Sequence, residues 1–188
     1  MAPRVKITRK DIIETALELV RVGGADAVNA RSIASKLNCS TQPIFSNFES
    51  MEELEEEVGK AAYSLYQGFI TRELESQSYP QYKAFGMAYV LFAIEERELF
   101  KLLFMRDRTG EDISPSPDFE ESVKIIMASN GVTREVANLM HLEMWICVHG
   151  IATMMVTSFF TLKLEEISDI ISDMYQSVRS RHVGGDVK

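Results

Sequence analysis

The sequence contains few of the residues and motifs on which disulfide scaffolds and most enzymes depend. Only two of its 188 residues are cysteines, and Cys39 and Cys147 are far apart in the chain, which favours a reducing cytoplasm over a disulfide-bonded scaffold. No apolar signal segment is found at the N-terminus. The chain also has no Cys-x-x-Cys, His-Glu-x-x-His or Gly-x-Ser-x-Gly motif and no phosphate-binding glycine loop. These absences argue against an enzyme.

Metal binding is poorly supported as well. Two of the three histidines, His141 and His149, share a helix face, but eight residues at 1.5 Å each separate them by about 12 Å. That separation is too wide for both to hold one ion without further ligands. We therefore expect neither a metal nor a cofactor.

Patterns typical of β-strands are missing, whereas apolar residues recur at helical spacing along the chain. We predict about nine helices, and the apolar content of 46% is enough to form a core. Helices are predicted to start at Asp118 and Thr133, and the last is predicted over Lys163–His182. A polar loop over Arg106–Pro117 and a frayed tail over residues 183–188 complete this part.

Residues 29–48 have the layout of a helix-turn-helix, in which two short helices are joined by a tight polar turn. Asn29 would cap the first helix, whose buried side is defined by apolar residues at helical spacing: Ile33, Ala34 and Leu37. Asn38 in the turn tolerates a left-handed backbone conformation. A plain helical hairpin without a role in DNA binding is the alternative.

The second helix of this pair is the candidate reading helix. It is predicted to open at Ser40, whose hydroxyl would accept a hydrogen bond from the backbone N–H of Gln42. Thr41 and Gln42 would face outward to meet base edges, and the ring of Pro43 would be able to touch a thymine methyl group. The buried side is predicted to consist of three apolar residues: Ile44, Phe45 and Phe48.

Two further helix starts flank this pair. Thr8 and Asp11 have the spacing of a capping box, and the apolar stripe that follows them stops at Gly23-Gly24. Ser50 and Glu53 form a second capping box at the start of a long fourth helix. Three helices would therefore form a small head, and the fourth would lead into the rest of the chain.

This order of helices resembles the TetR family of transcriptional regulators. The residues that carry the resemblance are Thr8-Arg9, Ile12-Ile13, Ala16-Leu17, Gly24, Ile33-Ala34, Ser40, Phe48, and Ser50 with Glu53-Leu54. Further along, Trp145, Val148, His149 and Gly150 resemble the Trp-His-Gly signature of one C-terminal class in that family. We therefore expect an all-α protein with a DNA-binding domain over residues 1–49 and an effector-binding and dimerisation domain over residues 50–188.

The resemblance implies a homodimeric repressor that binds a double-stranded DNA operator with inverted half-sites. A small apolar effector in the C-terminal domain would swing the fourth helix and release the DNA. The residues expected to contact DNA are Arg9, Lys10, Asn29, Arg31, Lys36, Ser40, Thr41, Gln42, Pro43, Phe45 and Asn47. Phe45, Asn47 and Met51 replace the family's usual Tyr, His and Lys. This motivates the alternative, a helical ligand-binding or protein-interaction module with weakened DNA binding.

Charge is distributed in a way that fits this division. Residues 1–48 hold seven Lys or Arg against four acids, a net charge of +3. Because the whole chain has a net charge of −8, residues 49–188 carry a net charge of −11. Because phosphate neutralisation acts within about 8–10 Å, an acidic chain can still bind DNA through a local basic region. Arg4, Lys6, Arg9 and Lys10 form such a cluster beside the reader, with a solvated tail as the alternative.

The middle and C-terminal helices supply candidates for an apolar effector pocket. Aromatic and methionine residues would line it, with two histidines as polar groups: Tyr66, Tyr89, Phe104, Met127, His141, Met144, Trp145 and His149. Ordinary core packing is the alternative for each of these residues.

The segment Met144–Phe160 carries no formal charge, and an apolar stripe from Ile167 to Val178 follows it. Together they exceed what one small body covers, so we expect them to pair with a second copy in a four-helix interface. A monomeric bundle is one alternative. A membrane span is the other, and His149, Gly150 and three hydroxyl residues within the segment argue against it.

Overall fold

The computed structural model describes residues 7–109 and 116–183 of the chain. This part contains nine α-helices, one short 3-10 turn at Ala25–Ala27 and no β-strand, which confirms the predicted all-α fold of about nine helices. The predictions for Arg4, Lys6, the centre of the polar loop (residues 110–115) and the tail after residue 183 lie outside the described residues.

The described residues form two compact units. Those within Met1–Leu65 and Glu96–Asp107 form the first unit, here called the head. Those within Tyr66–Glu95 and Arg108–Lys188 form the second, here called the body. The head therefore extends past residue 49, where the sequence prediction placed the end of the DNA-binding domain.

The head begins with helix α1 (Arg9–Gly23), which opens on the predicted capping box. The Thr8 hydroxyl accepts the N–H of Asp11, and the Asp11 carboxylate accepts the N–H of Thr8 at 2.8 Å. The helix ends at Gly24, whose φ of 74° is a left-handed value that favours glycine. Both ends are therefore fixed by local sequence, as predicted.

Helix α2 (Ala30–Lys36) is capped by Asn29, whose side-chain oxygen accepts the N–H groups of Arg31 and Ser32. Asn38 in the following turn has a φ of 52°, the left-handed conformation that the sequence predicted. Helix α3 (Gln42–Asn47) and helix α6 (Arg97–Phe104) complete the head together with the first turns of α4 (Met51–Ser76).

The core of the head consists of apolar side chains from these five helices that are almost completely buried: Ile12, Ala16, Val20, Ile33, Ala34, Ile44, Phe48, Leu54, Val58, Leu99 and Phe100. At about 1.5–3 kcal/mol for each large side chain, their burial is the main term that holds α1, α2 and α3 in a fixed arrangement. The position of α3 therefore depends on the packing of the whole head.

Helix α4 (Met51–Ser76) contributes its first part to the head and its last part to the body. The rest of the body consists of α5 (Gln81–Glu95), α7 (Pro117–Asn130), α8 (Arg134–Val156) and α9 (Leu164–Val183). Helix α8 contacts α5, α7 and α9, and its buried side is apolar: Ala137, Met140, Met144, Val148, Ile151, Ala152 and Val156.

The start of α7 differs from the prediction. Ser116, not Asp118, is the N-cap, and its hydroxyl accepts the N–H of Phe119 at 3.3 Å. Pro117 then occupies the first helical position, where its missing N–H is not needed, and Asp118 lies in the first turn. Two other predicted boundaries hold, because α7 ends before left-handed Gly131 and Thr133 caps α8. The last helix is shifted by one residue from the predicted Lys163–His182 and spans Leu164–Val183.

By length and composition alone, α8 could cross a membrane. Its most apolar window of 18 residues has a mean hydropathy of 1.4, and one third of that window is buried in the body. Core helices of water-soluble proteins share this property, so α8 by itself assigns no location. The helix ends at Val156, so the last residues of the uncharged segment form a loop rather than part of the helix.

Candidate nucleic-acid interface and apolar groove

The reading helix α3 starts later than the sequence predicted. Its N-cap is Thr41, and no side chain caps the helix, so the predicted capping bond from Ser40 is wrong. Pro43 removes one N–H from the first turn, and the carbonyl of Thr41 accepts the N–H of Ile44 at 3.1 Å. Few free backbone N–H groups therefore remain in the first turn for the hydroxyl of Ser40 to accept.

One predicted core residue of α3 lies on the outside. Ile44 and Phe48 are buried as expected, but Phe45 is 53% exposed. Residues four apart share one side of a helix, whereas the next residue along is turned by about 100°. A helix this short buries a single stripe, and Ile44 with Phe48 forms it. Phe45 instead shares the outer side with Gln42, which is exposed.

Two polar side chains of α3 bond to their own helix. The hydroxyl of Ser46 donates to the carbonyl of Gln42 at 2.8 Å, and the amide of Asn47 donates to the carbonyl of Pro43 at 2.7 Å. Asn47 was expected to contact DNA, and this bond uses one of its two amide hydrogens. The side-chain amide of Gln42 is the group on the outer side that keeps its full capacity to donate and accept.

The predicted phosphate contact Arg9 is bound within the head. Its guanidinium lies 4.1 Å from the centre of the Phe48 ring, donates to the carbonyl of Asn47 at 2.7 Å and pairs with Glu53 at 2.7 Å. The N–H of Glu49 and the Arg9 guanidinium together lower the pKa of the Glu53 carboxyl. Arg9 thus connects α1 to the end of the reading helix and to the start of α4.

The other predicted cations are more available. Lys36 pairs with Glu18 at 2.8 Å, and this hydrogen bond lowers the pKa of Glu18, but both side chains are well exposed. Such a surface pair contributes little to stability, so a phosphate group is able to take the place of Glu18. Lys10 makes only a loose pair with Glu14, and Arg31 has no ion pair within residues 7–109 and 116–183. Lys10, Arg31 and Lys36 are therefore the cations that can reach phosphate.

In the body, two tyrosines of α5 bond to two histidines of α8. Tyr82 Oη lies 2.9 Å from His141 Nδ1, and Tyr89 Oη lies 2.8 Å from His149 Nδ1. Burial lowers the pKa of His141 to about 4 and also lowers that of His149, while it raises the pKa of both tyrosines. Each histidine is therefore neutral near pH 7, and the tautomer of each ring sets the direction of its hydrogen bond with the tyrosine hydroxyl.

The eight residues predicted to bind an effector are distributed over different environments. Tyr66 and Tyr89 are buried in the body with their rings edge to face at 5.8 Å, and Met144 is buried too. Trp145 is 45% exposed and stacks on His149 at 4.9 Å. Phe104 belongs to the head and packs on Phe100 at 5.2 Å, and Met127 and His141 are half-buried in the body.

A groove of about 590 Å³ runs along the outside of α8 and α9, and none of those eight residues lines it. Its walls are mostly apolar: Ile146, Cys147, Gly150, Ile151, Met154, Phe160, Leu162, Ile170 and Met174, with Glu143 as the charged group. Several of these residues fall in the two segments from which a second copy was predicted. The effector prediction did not include the groove residues, because aromatic and methionine content does not reveal which side of a helix remains uncovered.

Comparison with known proteins adds to the fold and not to the function. No protein-family model matches the chain, and no curated protein matches it. A solved structure of a protein with unknown function from Rhodococcus sp. RHA1 is similar, with a TM-score of 0.67, 16% identity, and coverage of 97% of this chain and 100% of that one. The comparison thus supports the all-α fold of this chain and nothing beyond the fold.

Proposed function

We propose that this protein is a DNA-binding transcriptional regulator of the kind found in the TetR family, and specifically a repressor. The supporting observation is the outer side of α3, where Gln42 and Phe45 are exposed on a short helix held in place by a buried core. A helix presented in this way fits the major groove of B-DNA, where side chains contact base edges. Lys10, Arg31 and Lys36 supply positive charge on the same unit.

The proposed regulation uses the body. A small apolar effector would bind there and favour a state in which the head no longer matches the operator. Such a ligand shifts the equilibrium only by the ratio of its affinities for the two states, so a hundredfold preference would supply about 2.7 kcal/mol. Helix α4 is the structural element through which this change would pass, because one continuous helix contributes to both units.

The proposed regulator is a homodimer, and a second copy would cover the groove on α8 and α9. Leu139 and Leu142 are exposed and continue the apolar side of α8 at helical spacing from Ile146, an exposed residue in the groove wall. Phe159 and Phe160 extend it beyond the end of α8. Because this surface is larger than the groove itself, a second chain fits it better than a small molecule does. A stable dimer buries about 1,200–2,000 Å² in total.

A ligand-binding or protein-interaction module without DNA binding is the second candidate. It is favoured by the internal bonds of Arg9 and Asn47, which remove two expected phosphate contacts from α3 and α1. The two candidate functions predict opposite results for specific DNA binding, so one binding experiment separates them.

The experiment measures binding of the purified dimer to genomic fragments from around its own gene. A regulator is expected to prefer one fragment with a Kd of about 10⁻⁸ M or tighter in moderate salt. Its affinity should fall as salt rises, with a slope that reflects few phosphate contacts per half-site. If no fragment is preferred over bulk DNA even at low salt, the regulator proposal fails and the module takes its place.

A further inference from the structure

Phe45, which the sequence predicted both on the buried side of the helix and among the residues that contact DNA, is 53% exposed and is therefore a base-reading candidate. Three side chains cover the outer side of α3: Gln42, Phe45 and Ser46. The hydroxyl hydrogen of Ser46 is already donated to the carbonyl of Gln42. Recognition by this side therefore rests on one amide, which donates and accepts, and one phenyl ring, which does neither.

A phenyl ring restricts what it can contact in the major groove. Base edges there present donors, acceptors and the methyl group of thymine, which is the one apolar feature among them. Placing the ring of Phe45 against a polar edge would remove water from that edge without supplying a hydrogen bond, which is unfavourable. Placing it against a thymine methyl buries apolar surface on both sides and is favourable.

The spacing of the two side chains adds a second condition. Gln42 and Phe45 are three residues apart, so they lie on one side of the helix with Cβ atoms about 5–6 Å apart. Because successive base pairs are about 3.4 Å apart, two side chains at that separation are able to contact base pairs one step apart. Glutamine pairs with adenine through N6 and N7. The two side chains thus match neighbouring base pairs of the A·T type.

We infer that Phe45 reads a thymine methyl group one base-pair step from an adenine bound by Gln42, so that each operator half-site has an A·T-containing centre. This inference rests on the proposed function, because it concerns the same reading helix. It goes further by naming the base chemistry that the helix prefers and the group on the base that Phe45 contacts.

The experiment replaces thymine by deoxyuridine in the preferred genomic fragment. This change removes the methyl group and keeps base pairing and the other groove atoms. Burial of one methyl corresponds to about a fourfold change in Kd, so replacement in both half-sites is expected to weaken binding by the wild-type dimer about fifteenfold. Phe45→Ala should bind the two fragments with equal affinity. Val22→Ala, which changes a residue on α1 that is 85% exposed, should keep the wild-type difference.

Each outcome decides between the possibilities. If a preferred fragment exists but uracil leaves wild-type binding unchanged, the inference about Phe45 is wrong and the regulator proposal stands. If uracil weakens the wild type and Phe45→Ala equally, another group reads the methyl, and the inference is again overturned. If no fragment is preferred, the proposed function itself fails. Because Phe45 is exposed, Phe45→Ala should retain the wild-type melting temperature, which checks that the head is folded.

Discussion

Replacement of Arg9 by methionine is expected to destabilise the head although the residue is on its surface. The guanidinium stacks on Phe48, donates to the carbonyl of Asn47 and pairs with Glu53. The pair with Glu53 is exposed to solvent, with 40% of the Arg9 side chain accessible, so it adds little to stability. The bond to the carbonyl and the stacking on Phe48 contribute about 0.5–1 kcal/mol each. Arg9→Met should therefore lower the free energy of unfolding by about 1–2 kcal/mol.

Urea unfolding followed by circular dichroism measures this effect at one fixed protein concentration. Lys10→Met is the matched control, because Lys10 is next to Arg9 in the chain, its side chain is 81% exposed, and it makes only a loose pair with Glu14. The control should change the free energy of unfolding by less than about 0.5 kcal/mol. High salt should remove little of the Arg9 effect, because stacking and the bond to a carbonyl do not depend on a second formal charge. Equal unfolding curves for Arg9→Met and Lys10→Met would refute the reasoning.

Three further predictions concern base reading, assembly and pH. Gln42→Ala should weaken the preference for one base per half-site by about 1–3 kcal/mol. Selection of binding sites from random DNA by the wild type and by Gln42→Ala measures this, and an unchanged preferred sequence would exclude Gln42 as a base reader. Light scattering should give about twice the chain mass of 21.3 kDa; Ile146→Glu should yield monomer and Val22→Glu should not, whereas a monomeric wild type would exclude the dimer. Because burial lowers the folded-state pKa of His141 from 6.5 to about 4, neutral His141 contributes stability that is complete above pH 6.5 and is lost as the pH falls to 4. As the pH falls from 6.5 to 4, the difference in the free energy of unfolding between wild type and His141→Gln should therefore shrink by up to about 3 kcal/mol. A difference that stays constant with pH would contradict the lowered pKa of His141.

Local signals of the sequence were sufficient where the structure depends on neighbours in the chain. The capping box at Thr8, the cap at Asn29 and the left-handed turn at Asn38 each involve residues within a few positions of one another. Their geometry follows from which side chains can bond to free N–H groups or adopt positive φ. The number of helices follows from apolar periodicity for the same reason.

The errors arose where a choice between neighbouring residues depends on the tertiary structure. Ser40 and Asp118 are both good capping residues, but a proline nearby shifts or weakens the requirement for a cap at each site. Phe45 is apolar and follows Ile44, so the pattern alone allows either to face the core. The internal role of Arg9 was hidden as well, because its partners Asn47 and Glu53 are distant in sequence.

The paired tyrosines and histidines fix the axial register of two helices in the body. Tyr82 and Tyr89 are seven residues apart on α5, and their partners His141 and His149 are eight residues apart on α8. Sliding of one helix along the other by a single residue moves each oxygen about 1.5 Å from its nitrogen and weakens both bonds together. Apolar contacts tolerate such a slip far better than two directional bonds do. The two hydrogen bonds therefore fix the position of α5 along α8, so that any small displacement of α8 within the body moves α5 with it.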